Sequence, residues 1–336
     1  MARGPIGMVA ASGTGLQQVS ARIHQLGGGI THALGTGGRD LSKTVGAVAA
    51  RQSLDLLIRD PDTRVIVLVS KPASQKVAEG LLGMVRASEK PVVIDLIGHA
   101  LSVRRVDNLH FAGTFDETAQ LAVELAAHAR RQEAQTPFGR SDVEWALGRF
   151  APGQRYLRGL FSGGTLAYEA LLLLRDYVPI VYSNVPLGEE QRLANSMVSL
   201  GHTIVDLGED EFTVGRLHPM MDNDLRIRRL LQEADDPEVA VILLDVVLGY
   251  GAHPDPAGEL APAIVHARQA AEERGRYLEI VAVVVGTDSD PQGMEDQAEK
   301  LTEAGARVDC SNDRVARFSG RLVRALNPHA AGATLR

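Results

Sequence analysis

A single cysteine among 336 residues, Cys310, leaves no internal disulfide and no thiolate-rich metal site to be built, and such sparing use of sulfur fits a reducing compartment. Aromatic side chains make up only 4% of the chain and no basic run is interleaved with them. With 35 Lys and Arg against 42 Asp and Glu, the net charge of −7 weighs against nucleic acid or an anionic membrane as partner. No apolar run approaches the roughly 18 residues of a membrane-crossing helix. The opening Met1-Ala-Arg-Gly-Pro5 leads straight into a strand-like run without the charged and apolar regions of a signal peptide, so a cytoplasmic location is expected. No H-E-x-x-H, paired C-x-x-C or Walker A loop is present. Neither a bound metal, nor an autonomous ATP site, nor any cofactor held within the chain is expected.

What is present is a repeated alternation. Residues 6–11 are an apolar run that ends at Ser12-Gly13-Thr14-Gly15, after which Leu16, Val19, Ile23 and Leu26 recur at helical spacing. Gly27-Gly-Gly29 stops that helix, residues 30–34 suit a second strand, and Gly35 to Asp40 forms a loop before a helix reaching about Leu57. Strands at 65–69 and 92–97 flank a helix over about 74–88. Fully apolar strands alternating with amphipathic helices predict a parallel sheet covered on both faces.

Between about 127 and 154 the pattern loosens, with Thr136-Pro137, Phe138-Gly139, Pro152-Gly153 and one short helical piece at 142–147. Beyond it the first pattern returns. Leu160-Phe-Ser-Gly-Gly-Thr165 echoes Ala10-Ala-Ser-Gly-Thr14, and Asp235 to Asp245 echoes Asp60 to Ser70 as an acidic-Pro turn followed by a buried strand. The run 279–285 corresponds to 92–97. Three echoes in register indicate duplication. The expected architecture is α/β, two duplicated flavodoxin-like doubly wound parallel-sheet domains: residues 1–130, a linker over 131–154, a second domain over 155–327 and a tail over 328–336.

The loops at the carboxyl ends of the strands are where chemistry is expected. The first N–H groups of a helix lack partners and carry the positive end of its dipole, so an anion is held there. Ser12, Gly13 and Thr14 suit that role, as do Ser162, Gly163, Gly164 and Thr165; the alternative is that the hydroxyls are only N-caps. Gly37, Gly38 and Arg39, and likewise Arg216 beside Gly215, put a guanidinium next to glycine after the second strand of each half, either as a clamp for carboxylate or phosphate or as a solvated loop arginine. His218 and Asp222 suit an acid/base pair, while Pro219 equally suits the first position of a helix. His99 and His253 follow strands and are site candidates; His110 is placed in or beside a strand.

The segments Gly7-Met-Val-Ala-Ala-Ser-Gly-Thr-Gly15, Gly35-Thr-Gly-Gly-Arg-Asp-Leu-Ser42, Val69-Ser-Lys-Pro72, Phe161-Ser-Gly-Gly-Thr165 and Gly215-Arg-Leu-His-Pro-Met-Met-Asp222 resemble the FdrA proteins, relatives of succinyl-CoA synthetase. The resemblance covers nearly the whole chain: residues 1 to about 130 resemble the ligase half of the synthetase α subunit, and about 155 to 327 the carboxy-terminal domain of its β subunit. It implies that the helices after Ser12 and Ser162 converge on one anion. The synthetase carries a phosphohistidine in a Gly-His-Ala-Gly loop; here the nearest stretch is Asn108-Leu-His-Phe-Ala-Gly-Thr114, so no phosphohistidine is expected. A glutamate that supports that histidine is replaced by Ser70-Lys71, and Lys71 favours a free anion. No amino-terminal CoA-binding unit and no ATP-grasp domain is seen, so bound CoA is not expected.

The resemblance further implies a subunit of an oxamate carbamoyltransferase, which interconverts oxalurate plus phosphate with oxamate plus carbamoyl phosphate in ureide breakdown. Phosphate or carbamoyl phosphate and a small carboxylate would be the substrates, and other subunits of the same enzyme the protein partners. His218, Lys71 and Arg39 are the expected catalytic groups. The alternatives are an acyl-CoA synthetase-like ligase whose CoA and ATP domains lie on partner chains, and a non-catalytic scaffold subunit.

Overall fold

Two six-stranded sheets organise the computed structural model, which describes residues 1–70, 74–98, 103–127 and 138–327. The chain divides into two units, Met1–Ala134 and Gln135–Arg336. Both are α/β with predominantly parallel strands, the flavodoxin-like architecture that the alternating pattern predicts.

The first unit runs β1 (Arg3–Ala10), α1 (Gly13–Gln25), β2 (Ile30–Gly35), a 3-10 turn (Gly38–Leu41), α2 (Val48–Arg59), β3 (Val65–Ser70), α3 (Gln75–Arg86), β4 (Val92–Leu96), β5 (Arg105–Val106), β6 (Leu109–Phe111) and α4 (Phe115–Ala127). Its strand order is β2-β1-β3-β4-β6-β5. Every residue of β3 is buried, as a central strand covered on both faces requires. Gly27 turns to φ +80° and its N–H reaches His24 O while Gly28 N reaches Ile23 O, so the glycine triplet stops α1 as its sequence dictates. The buried pair Arg22 to Asp116, 2.7 Å apart, ties α1 to α4.

The second unit runs α5 (Arg140–Leu147), β7 (Tyr156–Phe161), α6 (Gly164–Leu174), β8 (Tyr182–Ser183), β9 (Thr203–Asp206), α7 (Asp210–Thr213), α8 (Asp224–Asp235), β10 (Val239–Val247), α9 (Pro256–Glu273), β11 (Glu279–Val285), α10 (Met294–Glu303), β12 (Arg307–Asp309) and α11 (Asn312–Leu326). The order β12-β11-β10-β7-β9-β8 is that of the first unit read from its other end, with β5 lacking a counterpart and the short edge strand β8 added beside β9. All nine residues of β10 and all seven of β11 are buried.

Residues 138–154, assigned to the linker by their loosened pattern, pack onto this second sheet. Phe138 stacks on Phe318 with centroids 4.8 Å apart, and the Gln154 amide donates to Val239 O and Tyr277 O, both at 2.7 Å. A segment with no hydrophobic period is anchored by single rings, one amide and the ion pair of Asp142 with Arg307 at 3.0 Å, contacts that periodicity does not register.

In both units the connection reverses direction between the first and third strands, so the crevice outside their carboxyl ends is where ligands bind in such sheets. The ladder fixes which residues face it. Ala10 pairs with Val69 in the first unit and Leu160 with Leu244 in the second. One step further, Ser70 therefore stands in the first unit where Asp245 stands in the second.

Candidate functional site

Among the described residues, nothing fills the first crevice at Gly13, Gly37 or Gly38. Ser12 takes extended backbone angles at the N-cap of α1, and its Oγ accepts the Gly15 N–H at 2.9 Å. The Gly13 and Thr14 N–H groups head the helix, where no intrahelical carbonyl reaches them, and the first turn holds no acidic residue to offset the dipole. Thr14 is buried, whereas Gly13 is exposed and a Cβ on it would meet nothing within 4 Å. The second loop lies alongside: Thr36 N donates to Ala10 O at 2.9 Å, and a Cβ on Gly38 would stand 3.8 Å from Ala11 O. Gly37, at φ +75°, and Gly38 are exposed and open. Arg39 is exposed on the 3-10 turn, and its guanidinium makes no hydrogen bond or ion pair among the described residues. The neighbouring Asp40 does not neutralise it, because both carboxylate oxygens accept the Ala49 and Ala50 N–H groups, at 2.9 and 2.8 Å, at the head of α2.

The second crevice is filled by the chain itself. Asp245, fully buried, sets its Oδ1 2.7 Å from Ser162 N and its Oδ2 2.8 Å from Gly163 N, while the Ser162 hydroxyl lies 3.0 Å from both oxygens. A carboxylate thus sits on the N–H groups that the sequence assigns to a phosphate. A second one, Asp206, occupies the next position: a Cβ on Gly164 would come within 2.2 Å of its Oδ2, so only glycine admits this approach. Thr165 is buried in the first turn of α6. At Ser162 and Gly163 the donors expected to hold an external anion hold the Asp245 carboxylate, whose charge, with that of Asp206 beside Gly164, repels a further anion.

The negative charge is balanced from α8. Arg226, 1% exposed, reaches Asp245 Oδ1 at 3.0 Å and also the Asp245 carbonyl, and its other nitrogens donate to Asn223 Oδ1. Asn223 Nδ2 donates to Glu259 Oε2 at 2.7 Å, and His253 Nε2 lies 3.4 Å from the same oxygen. The chain from His253 through Glu259, Asn223, Arg226 and Asp245 ends on Ser162. Burial pulls the Arg226 guanidinium below its ordinary pKa, with the Asp245 charge opposing.

His218 belongs to this closed corner. Its Nε2 and Ser162 O each lie 2.7 Å from where a Cβ on Gly208 would stand, with Asp206 Oδ1 3.1 Å away. Its Nδ1 accepts the Met220 N–H at 3.2 Å, which leaves the proton on Nε2. Partial burial first, with Arg226 outweighed by Asp245 among the charges, holds the imidazole below its usual pKa and neutral. The expected acid/base pair with Asp222 does not form: Asp222 Oδ1 accepts Asp224 N at 2.9 Å, and the helix begins at Asp224 rather than at Pro219. Arg216 is exposed and lines a separate cleft of about 280 Å³ with Phe212, Asp222 and Arg228, so it does not clamp the Ser162 turn.

Lys71 and His99 lie outside the described residues. His110 is in β6, half-buried, its pKa lowered by burial and then by Arg105. Sequence reasoning missed Asp206, Arg226 and the filling role of Asp245, although the Ser70/Asp245 echo carried the signal. Among the described residues, no three His, Cys, Asp or Glu side chains gather as a metal site, and no helix is long and apolar enough to cross a membrane.

Comparison with known proteins bears on the filled unit. Residues 160–322 match the CoA-ligase family. This supports the succinyl-CoA synthetase-like character of the second unit. Over 310 residues the chain is 42% identical to the uncharacterized protein YahF of Escherichia coli (strain K12), covering 92% of this chain and 60% of that protein. The chain thus spans less than two thirds of that relative. Among solved structures, PH0766 from Pyrococcus horikoshii OT3 is 12% identical with a TM-score of 0.32, over 97% of this chain and 66% of that one. ATP citrate lyase from Methanothrix soehngenii, in complex with citrate and coenzyme A, is also 12% identical, with a TM-score of 0.31 over 99% and 51%.

Proposed function

We propose that the chain is one subunit of an acyl-transferring enzyme related to the CoA ligases, and that its anion half-site is the Ser12 turn of the first unit. The observation that carries this is the asymmetry of the duplicated turns: Asp245 occupies one, whereas among the described residues the other presents the unbonded Gly13 and Thr14 N–H groups, two open glycines and the unengaged Arg39. Preorganised donors of this kind stabilise a phosphate and a developing oxyanion without a nucleotide.

In the carbamoyltransferase reading, a phosphate oxygen attacks the carbamoyl carbon of oxalurate, the bond from that carbon to the oxamate nitrogen breaks, and the nitrogen takes up a proton. Gly13, Thr14, Gly37 and Gly38 would cradle the phosphate, with Arg39 and Lys71 supplying charge. The match of residues 160–322 to the CoA ligases favours a second reading, in which partner chains supply CoA and ATP and the product is a thioester.

The complex that co-purifies with the chain separates the two. Phosphate-dependent consumption of oxalurate without ATP or CoA is expected, and Arg39→Ala is expected to raise the KM for phosphate about tenfold, the loss of roughly one charge-assisted contact. Thioester formation that requires ATP and CoA, with oxalurate untouched, would replace the first reading by the second. An unchanged phosphate KM in Arg39→Ala would remove Arg39 from the site. Ser12→Ala is expected to cost about 1 kcal/mol of stability through the lost cap on Gly15, read as a lower melting temperature.

A further inference from the structure

At the opposite end of the second sheet's strands, before β11 begins, lies a cleft of about 520 Å³ lined by Arg149, Arg268, Glu272, Tyr277 and Glu303 among others. Its volume is that of a small-molecule pocket, about 300–1,000 Å³. It lies at the amino ends of strands whose carboxyl ends carry the Ser162 turn, about 20 Å away along β11.

Two of its arginines hold no hydrogen-bonded partner, although the charge of Arg268 is felt by the buried Glu279. Arg149 and Arg268 make no hydrogen bond or ion pair among the described residues, and the rim acids Glu272 and Glu303 pair with neither. Arg276, by contrast, is spent on the Asp236 and Ala234 carbonyls, at 2.9 and 2.7 Å. Arg268 is held where it is by a missing side chain: a Cβ on Gly305 would fall 1.3 Å from its Nη1, and Gly305 has φ +91°. Arg149 sits in the corner of two perpendicular rings, 4.5 Å from the Trp145 centroid and 4.8 Å from that of Tyr277, with Phe150 packed 5.4 Å from Tyr277. A guanidinium backed by rings is a flat cationic platform on which a heteroaromatic base stacks. Arg268 then supplies a second, separate positive charge for an anionic group.

We propose that this cleft binds a nucleotide, its base on the Arg149 platform and its phosphate at Arg268. The site is distinct from the Ser12 turn and does not depend on the chemistry assigned there.

The only tryptophan of the chain, Trp145, stands against the platform and reports occupancy directly. Titration of the whole protein with AMP is expected to change Trp145 fluorescence saturably. Adenosine alone and inorganic phosphate alone are each expected to bind at least about tenfold more weakly, and Arg268→Gln is expected to weaken AMP about tenfold, roughly 1.4 kcal/mol. Arg149→Gln, at an exposed position, gives the same loss should Arg268→Gln not fold. No saturable response to AMP, equal binding of adenosine or of phosphate alone, or unaltered AMP binding by a folded Arg268→Gln protein would each overturn the proposal.

Discussion

Asp245→Asn is expected to destabilise the second unit by about 3–5 kcal/mol, the usual effect of removing one partner of a buried ion pair. For a unit of this size that is a fall of roughly 6–20 °C in melting temperature. Four donors converge on the two carboxylate oxygens: Ser162 N, Ser162 Oγ, Gly163 N and Arg226 Nη1. Asparagine offers one oxygen and sets an amino group against another N–H. Arg226 would be left at 1% exposure with its directly bonded counter-charge gone and only Glu259, beyond Asn223, to balance it. Asp245→Ala opens a carboxylate-shaped hole at a helix start, so added formate is expected to raise the melting temperature of this variant and not that of the parent, by mass action on the folded state. Loss of less than about 1 kcal/mol in Asp245→Asn, set against the same range for a buried pair, would mean that Asp245 is not the anion of this turn.

Stability of the first unit is expected to fall as pH rises from about 4 to 7. Asp95 of β4 is 2% exposed, with Thr118 Oγ1 at 3.0 Å. Its pKa is pushed up to about 7, by desolvation above all, with the Thr118 hydrogen bond opposing and the Glu117 charge assisting. Between the unfolded value near 3.8 and this folded value the native chain keeps a proton that the unfolded chain has released. The native state binds more protons there, so its stability declines through the window and levels off above it, a total of a few kcal/mol at about 1.4 per pKa unit. Asp95→Asn keeps an acceptor for Thr118 and removes the charge. It is expected to flatten the slope and to melt higher than the parent at pH 8. Parallel pH profiles for parent and variant would show that Asp95 is ionised in the fold throughout.

Much of this arrangement is legible in the sequence because apolar runs and glycine punctuation carry it. The strand, Ser-Gly turn and helix at 6–25 and again at 157–174 follow from residue pattern alone, as does the stop at Gly27. The antiparallel pair of β5 and β6 is not legible, since two- and three-residue strands containing Arg105 and His110 have no period to detect. Asp245 reads as the end of an apolar run; only its place opposite Ser162, set by the ladder between β7 and β10, turns it into a ligand of the turn. Nothing in the local sequence pattern singles out Arg226 and Arg229. They are buried because they lie one turn apart on the side of α8 that meets acceptors: Arg226 meets Asp245, while Glu233 takes Arg229 at 2.7 Å and Arg158 at 2.8 Å. Charge complementarity across elements, unlike amphipathic spacing, leaves no trace in a single segment.

Among the described residues, one duplicated turn is open to an external anion and the other is closed by its own carboxylate. Backbone amide chemical shifts recorded during a titration with inorganic phosphate test it most directly. Saturable shifts at Gly13, Thr14, Gly37 and Gly38, with Ser162 and Gly163 unmoved, are the predicted result; shifts at Ser162 and Gly163 with none at Gly13 would contradict it.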